Sequence, residues 1–387
     1  MSSVGPAAEP YPRFSDSEMA RRRRSLDSLL AAAGTPHVLV YGVNRFGPAV
    51  GWLTRWPVTR EALVVHTSGE RPVLLVAFYN HVPNARRLAT EADVRWAGSS
   101  IVHTALEELE RRGGRGARIG IIGPVGHRDH RVVADFAAEV VDLDSAFTRL
   151  RLIKSDEELE WVRIGCALTD AGILALQSYD VVGRTEWELC DLVEGAYVGR
   201  GGTTHIHYFG ATPMEQPAVG VPGQWPSARR LQSGDALICE LSASFWDYPG
   251  QVLRTFAVGR DPPPLYLRLH DAADAAFDEV CGKLGAGATA EDVVAAAGVI
   301  EDEGFTTRDD LVHGFVGGYL PPVLGSKSRT LDPVPSFTFQ AGMTVVVQPN
   351  VVTQDEQAGV QTGELVLVTE VGVERLHRVP RGFLRTD

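Results

Sequence analysis

Over about residues 1–145, short apolar runs alternate with helical patterns. HVLVY (37–41), ALVVH (62–66), PVLLVAF (72–78) and RIGIIG (118–123) read as strands, and TALEELERRGG (104–114) as a helix closed by glycine. This alternation predicts an α/β domain with a largely covered sheet. Ahead of it, SDSEMARRRRSLDSLLAAAG predicts an amphipathic helix. Ser15 or Ser17 can cap it, Met19, Leu26, Leu29 and Leu30 recur at helical spacing, and the RRRR run at 21–24 reads as its solvated face. NHVPNARR (80–87) reads as a turn entering a basic helix, and HRDHR (127–131) as a surface turn.

A new region opens at RLRLIKSDEELEWVRIGCALTDAGILALQ (149–177), where Ser155 and Glu158 form a capping box ahead of a long amphipathic helix. From residue 200 the pattern changes to strands with Gly/Pro turns. ALICELSASFW (236–246), VLRTFAVG (252–259), MTVVVQP (343–349) and ELVLVTE (364–370) are the strongest, with helices at about 264–284 and 290–303. The expected organisation is a smaller α/β domain at 1–148 and an α+β domain at 149–387. MTVVVQPN (343–350) is unusual: an apolar strand delivers Gln348 and Asn350 at its far end. Burying such amides without partners costs about 1–3 kcal/mol each.

Composition narrows the function. Hydrophobic content of 44% and charged content of 22% are those of a soluble globular protein, and 387 residues suit two domains. A net charge of −12 argues against a nucleic-acid surface. No apolar run approaches the roughly 20 residues of a membrane span, and the N-terminus lacks a signal-peptide core. Cys166, Cys190, Cys239 and Cys281 form no CxxC pair and read as reduced thiols, so a cytoplasmic location is expected.

From RLIKSDEELEWVR onward the chain resembles the creatinase, aminopeptidase P and prolidase family. GDALICEL, YPGQVLRTFAVG, LVHGFVGGYLPP, AGMTVVVQPN and ELVLVTEVGVERL follow in the family's order over most of 150–387. The segment before them resembles the family's N-terminal domain more weakly. The resemblance implies a pita-bread catalytic domain, usually in a homodimer, in which peptidase members hold two divalent metals with two Asp, one His and two Glu. Those positions fall on Glu240, Gln251, His313, Gln348 and Gly363. Neutral amides are poor substitutes for the carboxylates that hard cations prefer, so neither metal nor another cofactor is expected. Glu364 is one residue off, and strand alternation turns it to the opposite face. The family's second substrate histidine is replaced by Leu320, and no histidine lies near GQWPS.

Creatinase, by resemblance, hydrolyses a C–N bond without metal. The candidate catalytic residues here are His313, Glu240 and His207. His205 and His207 alternate, so on a regular strand both imidazoles face the same way. Gln251, Gln348, Asn350 and His205 are candidate substrate contacts, with Gln361 and Glu364 extending the pocket. Arg254 is a further contact or the ion-pair partner of Glu240, and Tyr248 orients substrate or packs. Arg55 and Trp56 are candidates for capping the partner subunit's site, as in creatinase-type dimers. The leading expectation is a metal-independent, creatinase-like hydrolase of a small polar substrate. Its alternatives are a catalytically dead peptidase-fold binding module, an Xaa-Pro metallopeptidase with unusual ligands, and a lyase or decarboxylase on the same scaffold.

Overall fold

The computed structural model describes residues 11–44, 48–329 and 333–386. The chain divides into two compact units, Met1–Arg151 and Leu152–Asp387. Among the described residues, no helix is long and apolar enough to cross a membrane.

In the first unit, strands β1 (His37–Val43), β2 (Glu61–Thr67), β3 (Val73–Val76), β4 (Asp93–Trp96), β5 (Arg118–Ile122) and β6 (Glu139–Asp142) form one sheet, ordered β4-β3-β2-β1-β5-β6. Helices α1 (Asp16–Ala33), α2 (Pro48–Thr54), α3 (Val82–Leu88), α4 (Ile101–Arg111), α5 (His127–Phe136) and α6 (Asp144–Leu150) accompany it. Ser15 caps α1 by accepting from the Glu18 amide, and Gly34 ends the helix at φ 65°, where a side chain is disfavoured. The RRRR run is not uniformly solvated. Arg22 is buried, donates to Glu18 and to the Trp52 carbonyl, and lies over the Phe14 ring. HRDHR opens α5 rather than forming a turn, because Val133 and Phe136 beyond it bury against the sheet. Trp56 is 4% exposed, in the core of this unit beside His81, and the Arg55 guanidinium donates to the carbonyls of Pro12 and Leu88. These contacts hold both residues within their own unit.

The second unit opens with α7 (Asp156–Gln177) behind the Ser155/Glu158 capping box, followed by α8 (Glu186–Tyr197). α9 (Pro264–Lys283) and α10 (Ala290–Ala296) come later. Its strands are β7 (Thr203–Pro213), β8 (Asp235–Phe245), β9 (Tyr248–Pro249), β10 (Val252–Val258), β11 (Thr306–Thr307), β12 (Val312–Gly314) and β13 (Leu320–Leu324). β14 (Thr344–Val347), β15 (Asn350–Val352), β16 (Gly359–Gln361) and β17 (Gly363–Val368) complete the set that positions the site. The main sheet runs β13-β12-β14-β17-β10-β8-β7, and β11-β15-β16 form a small sheet of their own. One face of the main sheet is covered by helices. Cys239, Leu241, Val252 and Phe256 share a core with Leu168 and Val193 of α7 and α8, while Val345, Val347 and Val366 share one with Leu269 and Phe277 of α9.

Candidate active site

Strand register places the other face. Residues directly opposite one another across a ladder share a face. Leu253 of β10 pairs with Glu240 of β8 and with Gly363 of β17, and Glu240 also pairs with Tyr208 of β7. His313 of β12 pairs with Val346 of β14, which pairs with Leu365 of β17. The period of two then adds Gln251, two residues before Leu253, and Gln348, two residues after Val346. Glu240, Gln251, His313, Gln348 and Gly363 therefore gather on the face that the helices leave uncovered.

The chemistry centres on Glu240. It is 7% exposed, and Gln251 Nε2 donates to its Oε1 at 2.6 Å. Burial, reinforced by the nearby carboxylates of Asp309 and Asp310, pushes its pKa up to about 8 against the weaker opposing pull of the Gln251 hydrogen bond. Asp309 is exposed, but the surrounding protein and the adjacent Asp310 likewise raise it to about 6. His313 is fully buried. Its Nδ1 lies 3.1 Å from the Gly314 carbonyl, which only accepts, so Nδ1 carries the proton and Nε2 keeps its lone pair. Burial holds this imidazole down at about 4, against the Gly314 carbonyl, Gln348 and Asp309, so it is neutral at physiological pH. The Tyr319 ring stacks on His313 at 3.9 Å between centroids, and its hydroxyl donates to Asp310 Oδ1 at 2.6 Å. Asp309, Asp310 and Tyr319 were not among the sequence candidates. The one signal was the acidic pair in RDDLVHG, directly before the histidine motif.

Behind the site, His377 Nδ1 donates to Asp170 at 2.7 Å and its Nε2 accepts from the Gln251 amide at 3.3 Å, fixing the backbone that carries Gln251. Gly250 has no room for a side chain, since a Cβ there would lie 2.6 Å from Cys166 Cα. A separate groove of about 640 Å³ in the first unit is lined by Arg71, Arg86, Arg95 and Arg112. Those guanidinium groups are held by Asp93, Glu108 and backbone carbonyls, so the groove presents no open charge for chemistry.

Several expected site residues lie elsewhere. An extra residue in β7 shifts its register against β8 between Thr204 and Ile206, so His205 and His207 do not share a face. His207 points to α8, 2.7 Å from the Tyr197 hydroxyl, and is withdrawn from the catalytic set. His205 is exposed and sits edge-on to Phe315, which is edge-on to His313. Tyr248 donates to Glu158 of α7 and packs against Trp161, serving the helix interface. Arg254 pairs with Glu364 at 2.7 Å, both fully buried on the helix-covered face, and Arg375 completes that cluster. Arg254 therefore does not meet Glu240, and both it and Glu364 lie on the opposite face of the sheet from Glu240. Asn350 and Gln361 face each other across β15 and β16. Asn350 Nδ2 lies 3.3 Å from the carbonyls of Gly220 and Val360, while both side-chain polar atoms of Gln361 are buried without partners.

The residues present do not fit the two-metal centre that the family resemblance implies. Of its five positions only Glu240 is a carboxylate, and Gln251 directs an N–H at it, where a shared cation would need a lone pair. At Gly363 a Cβ would stand 2.4 Å from the Val347 carbonyl oxygen and 2.7 Å from Gln348 Cα, so no ligand side chain fits. Among the described residues, no group of three or more His, Cys, Asp or Glu is arranged to hold a metal ion.

Comparison with known proteins agrees with the architecture. The chain is 23% identical over 250 residues to an Xaa-Pro dipeptidase of Pyrococcus furiosus, covering 64% of this chain and 69% of the relative. It is 23% identical over 397 residues to an uncharacterized hydrolase/peptidase of Sinorhizobium fredii, covering 98% and 97%. The crystal structure of dipeptidase PepE from Mycobacterium ulcerans superposes with a TM-score of 0.80 at 20% identity, over 97% of this chain and 100% of that one. The prolidase from Pyrococcus horikoshii gives 0.79 at 17% identity, over 94% and 100%. These likenesses show the pita-bread fold with its N-terminal domain. The pattern of metallopeptidase family M24 matches residues 160–370, more than half of the chain, and the chain belongs to that family.

Proposed function

We propose that the protein is a hydrolase that breaks a C–N bond of amide, urea or amidine type in a small polar substrate, by acid–base chemistry at Glu240 and without a metal. The carrying observation is a buried carboxyl poised near neutrality, hydrogen-bonded to Gln251, on a face where the metal-binding carboxylates are replaced. In the carboxylate form Glu240 takes a proton from water as the oxygen adds to the substrate carbon. As the C–N bond breaks, the same proton passes from Glu240 to the departing nitrogen. One water is consumed and the carboxylate is regenerated. His313 is held neutral with Nε2 unpartnered, which suits it to accept an N–H of the substrate. Gln348 supplies a second amide beside it.

Two measurements test this reading. After exposure to excess Mn and Zn and desalting, the protein should retain less than about 0.1 metal equivalent, as the donor set requires. Hydrolysis of a small amide, urea or amidine should then persist in chelator and be lost in Glu240→Gln. Retention of one to two equivalents with metal-stimulated cleavage of Xaa-Pro peptides would overturn it in favour of a metallopeptidase. Ligand binding with no turnover of any such substrate would instead identify a binding module.

A further inference from the structure

We infer that the Ser242 hydroxyl is the hydrogen-bond donor that receives the carbonyl oxygen of the substrate, which makes the substrate an amide or urea rather than an amidine. This deepens the hydrolase reading above and rests on it for the location of the site. β8 runs without interruption from Asp235 to Phe245, so its alternation carries the face of Glu240 on to Ser242 and Ser244. Leu241 and Ala243, between them, pack with Leu168 and Val193 on the helix-covered face. The register Val252↔Leu241 on one side and Pro249↔Ser244 on the other sets Ser242 directly beside Gln251. Its neighbour on β7 is Ile206, which offers no polar side-chain atom. Ser242 is fully buried, and its Oγ has no hydrogen-bond partner. A buried hydroxyl left unpaired keeps its whole desolvation penalty, which a ligand oxygen at that point would offset.

The chemistry needs such a donor. When water adds to a carbonyl carbon, negative charge gathers on the carbonyl oxygen, and a hydrogen bond aimed at that oxygen stabilises the transition state. Other donors around Glu240 are committed. Gln251 Nε2 donates to Glu240, Gln348 Nε2 to the Asp310 carbonyl at 3.3 Å, and the Tyr319 hydroxyl to Asp310. His313 offers Nε2 only as a lone pair, since Nδ1 carries its proton. The hydroxyls of Tyr208, Ser242 and Ser244 also lie on this face. Tyr208, directly across from Glu240, is half-buried, so water can serve it. Ser244 is buried and unpartnered like Ser242, but it lies two residues farther from Glu240, roughly 7 Å along the strand, between Thr203 and Pro249. Ser242 combines burial, a free hydroxyl and a place next to both Glu240 and Gln251. It keeps its proton throughout: it donates to the carbonyl oxygen as water adds to the carbon, and that oxygen regains its double bond as the C–N bond breaks. An amidine has no such oxygen.

The test pairs binding with turnover in the full-length protein and in Ser242→Ala, with Ser242→Gly carrying it if the alanine variant does not fold. Methylurea and methylthiourea, titrated calorimetrically, differ in one atom, and sulfur is the weaker acceptor. Ser242→Ala should weaken methylurea binding by about ten-fold and methylthiourea binding by less than about two-fold. It should lower metal-free kcat on a small amide or urea by about 10²–10³-fold. Its melting temperature should stay the same or rise, because the hydroxyl removed has no partner in the free protein. Ser244→Ala should leave binding and turnover unchanged. If Ser242 instead served to hold Gln251, the substitution would lower the melting temperature and weaken both ligands alike, and that result overturns the proposal. Unchanged methylurea binding in Ser242→Ala, a loss that follows Ser244→Ala or Tyr208→Phe instead, or a wild-type protein that binds no methylurea would also overturn it. Selective loss of methylurea binding, in a protein that turns over no amide or urea, would leave this inference standing and remove the hydrolase reading. Metal-free hydrolysis that is lost in Glu240→Gln but intact in Ser242→Ala would do the reverse.

Discussion

Glu364 on β17 and Glu240 on β8 are buried carboxyl groups of one sheet, separated by β10, and they have opposite fates. Glu364 lies on the helix-covered face between Arg254 and Arg375. Burial alone would raise its pKa, but the two guanidinium groups outweigh it and hold the carboxyl below its ordinary value. Glu240 lies on the uncovered face with an amide donor and two further carboxyl groups for neighbours, and its pKa rises to about 8. One charge is fully compensated within the fold and the other is left waiting for a partner. A buried acid surrounded by guanidinium groups supports the structure, whereas a buried acid surrounded by acids is available for chemistry.

The largest expected effect separates the two in activity. Glu240→Gln should lower metal-free turnover by about 10²–10⁴-fold, the usual contribution of a positioned acid–base group, while the fold persists. Its stability should also change with pH in a defined direction. A carboxyl raised from 4.5 to about 8 binds more protons folded than unfolded, so its contribution is fully present below pH 4.5 and is lost as pH rises through 8. The Glu240→Gln protein should therefore gain stability relative to wild type as pH rises through that window, read by urea denaturation at several pH values.

Glu364→Gln should do the opposite. Leaving Arg254 buried without its anion should cost about 3–5 kcal/mol in urea unfolding, since removing one member of a buried pair exposes the other to its full desolvation penalty. Because the folded pKa of Glu364 is depressed, the wild-type contribution is present above pH 4.5 and is lost as pH falls through the folded value. The gap between Glu364→Gln and wild type should accordingly shrink on acidification.

Smaller effects sharpen the contrast. Gly363→Ala should destabilise by about 1–3 kcal/mol, because its methyl would press on the Val347 carbonyl and Gln348. An unchanged melting temperature would show that the position has room for a side chain after all. His207→Phe should cost about 1 kcal/mol through the lost Tyr197 hydrogen bond and leave kcat unchanged. A loss of turnover there, with the fold retained, would return His207 to the reacting centre.

Much of this arrangement was readable from local signals. The Ser155 capping box needed only local chemistry, and the apolar strands around Glu240 and Gln348 needed only periodicity. The same parity rule placed Glu364 on the face opposite Gly363. Applied to Arg254, one residue beyond Leu253, it would have put that side chain with Glu364 as well. The rule failed at His205 and His207, where one extra residue in β7 breaks the alternation without any mark in HIH itself. Asp309 and Asp310 were missed because their importance is tertiary: they lie far from Glu240 in sequence and act on it only once β12 is seated in the sheet. Tyr248 and Trp56 could not be assigned from the sequence for a common reason, since an aromatic residue beside a motif looks the same whether it faces substrate or core.

The most direct test of the central claim is the titration of Glu240 itself, followed through its side-chain carboxyl ¹³C resonance in wild-type and Glu240→Gln protein without added metal. A carboxyl that titrates near pH 8 in the wild type and is missing from the variant is the predicted result. If every glutamate instead titrates at or below its ordinary value of 4.5, Glu240 carries its charge at neutrality and the proposed acid–base site is contradicted.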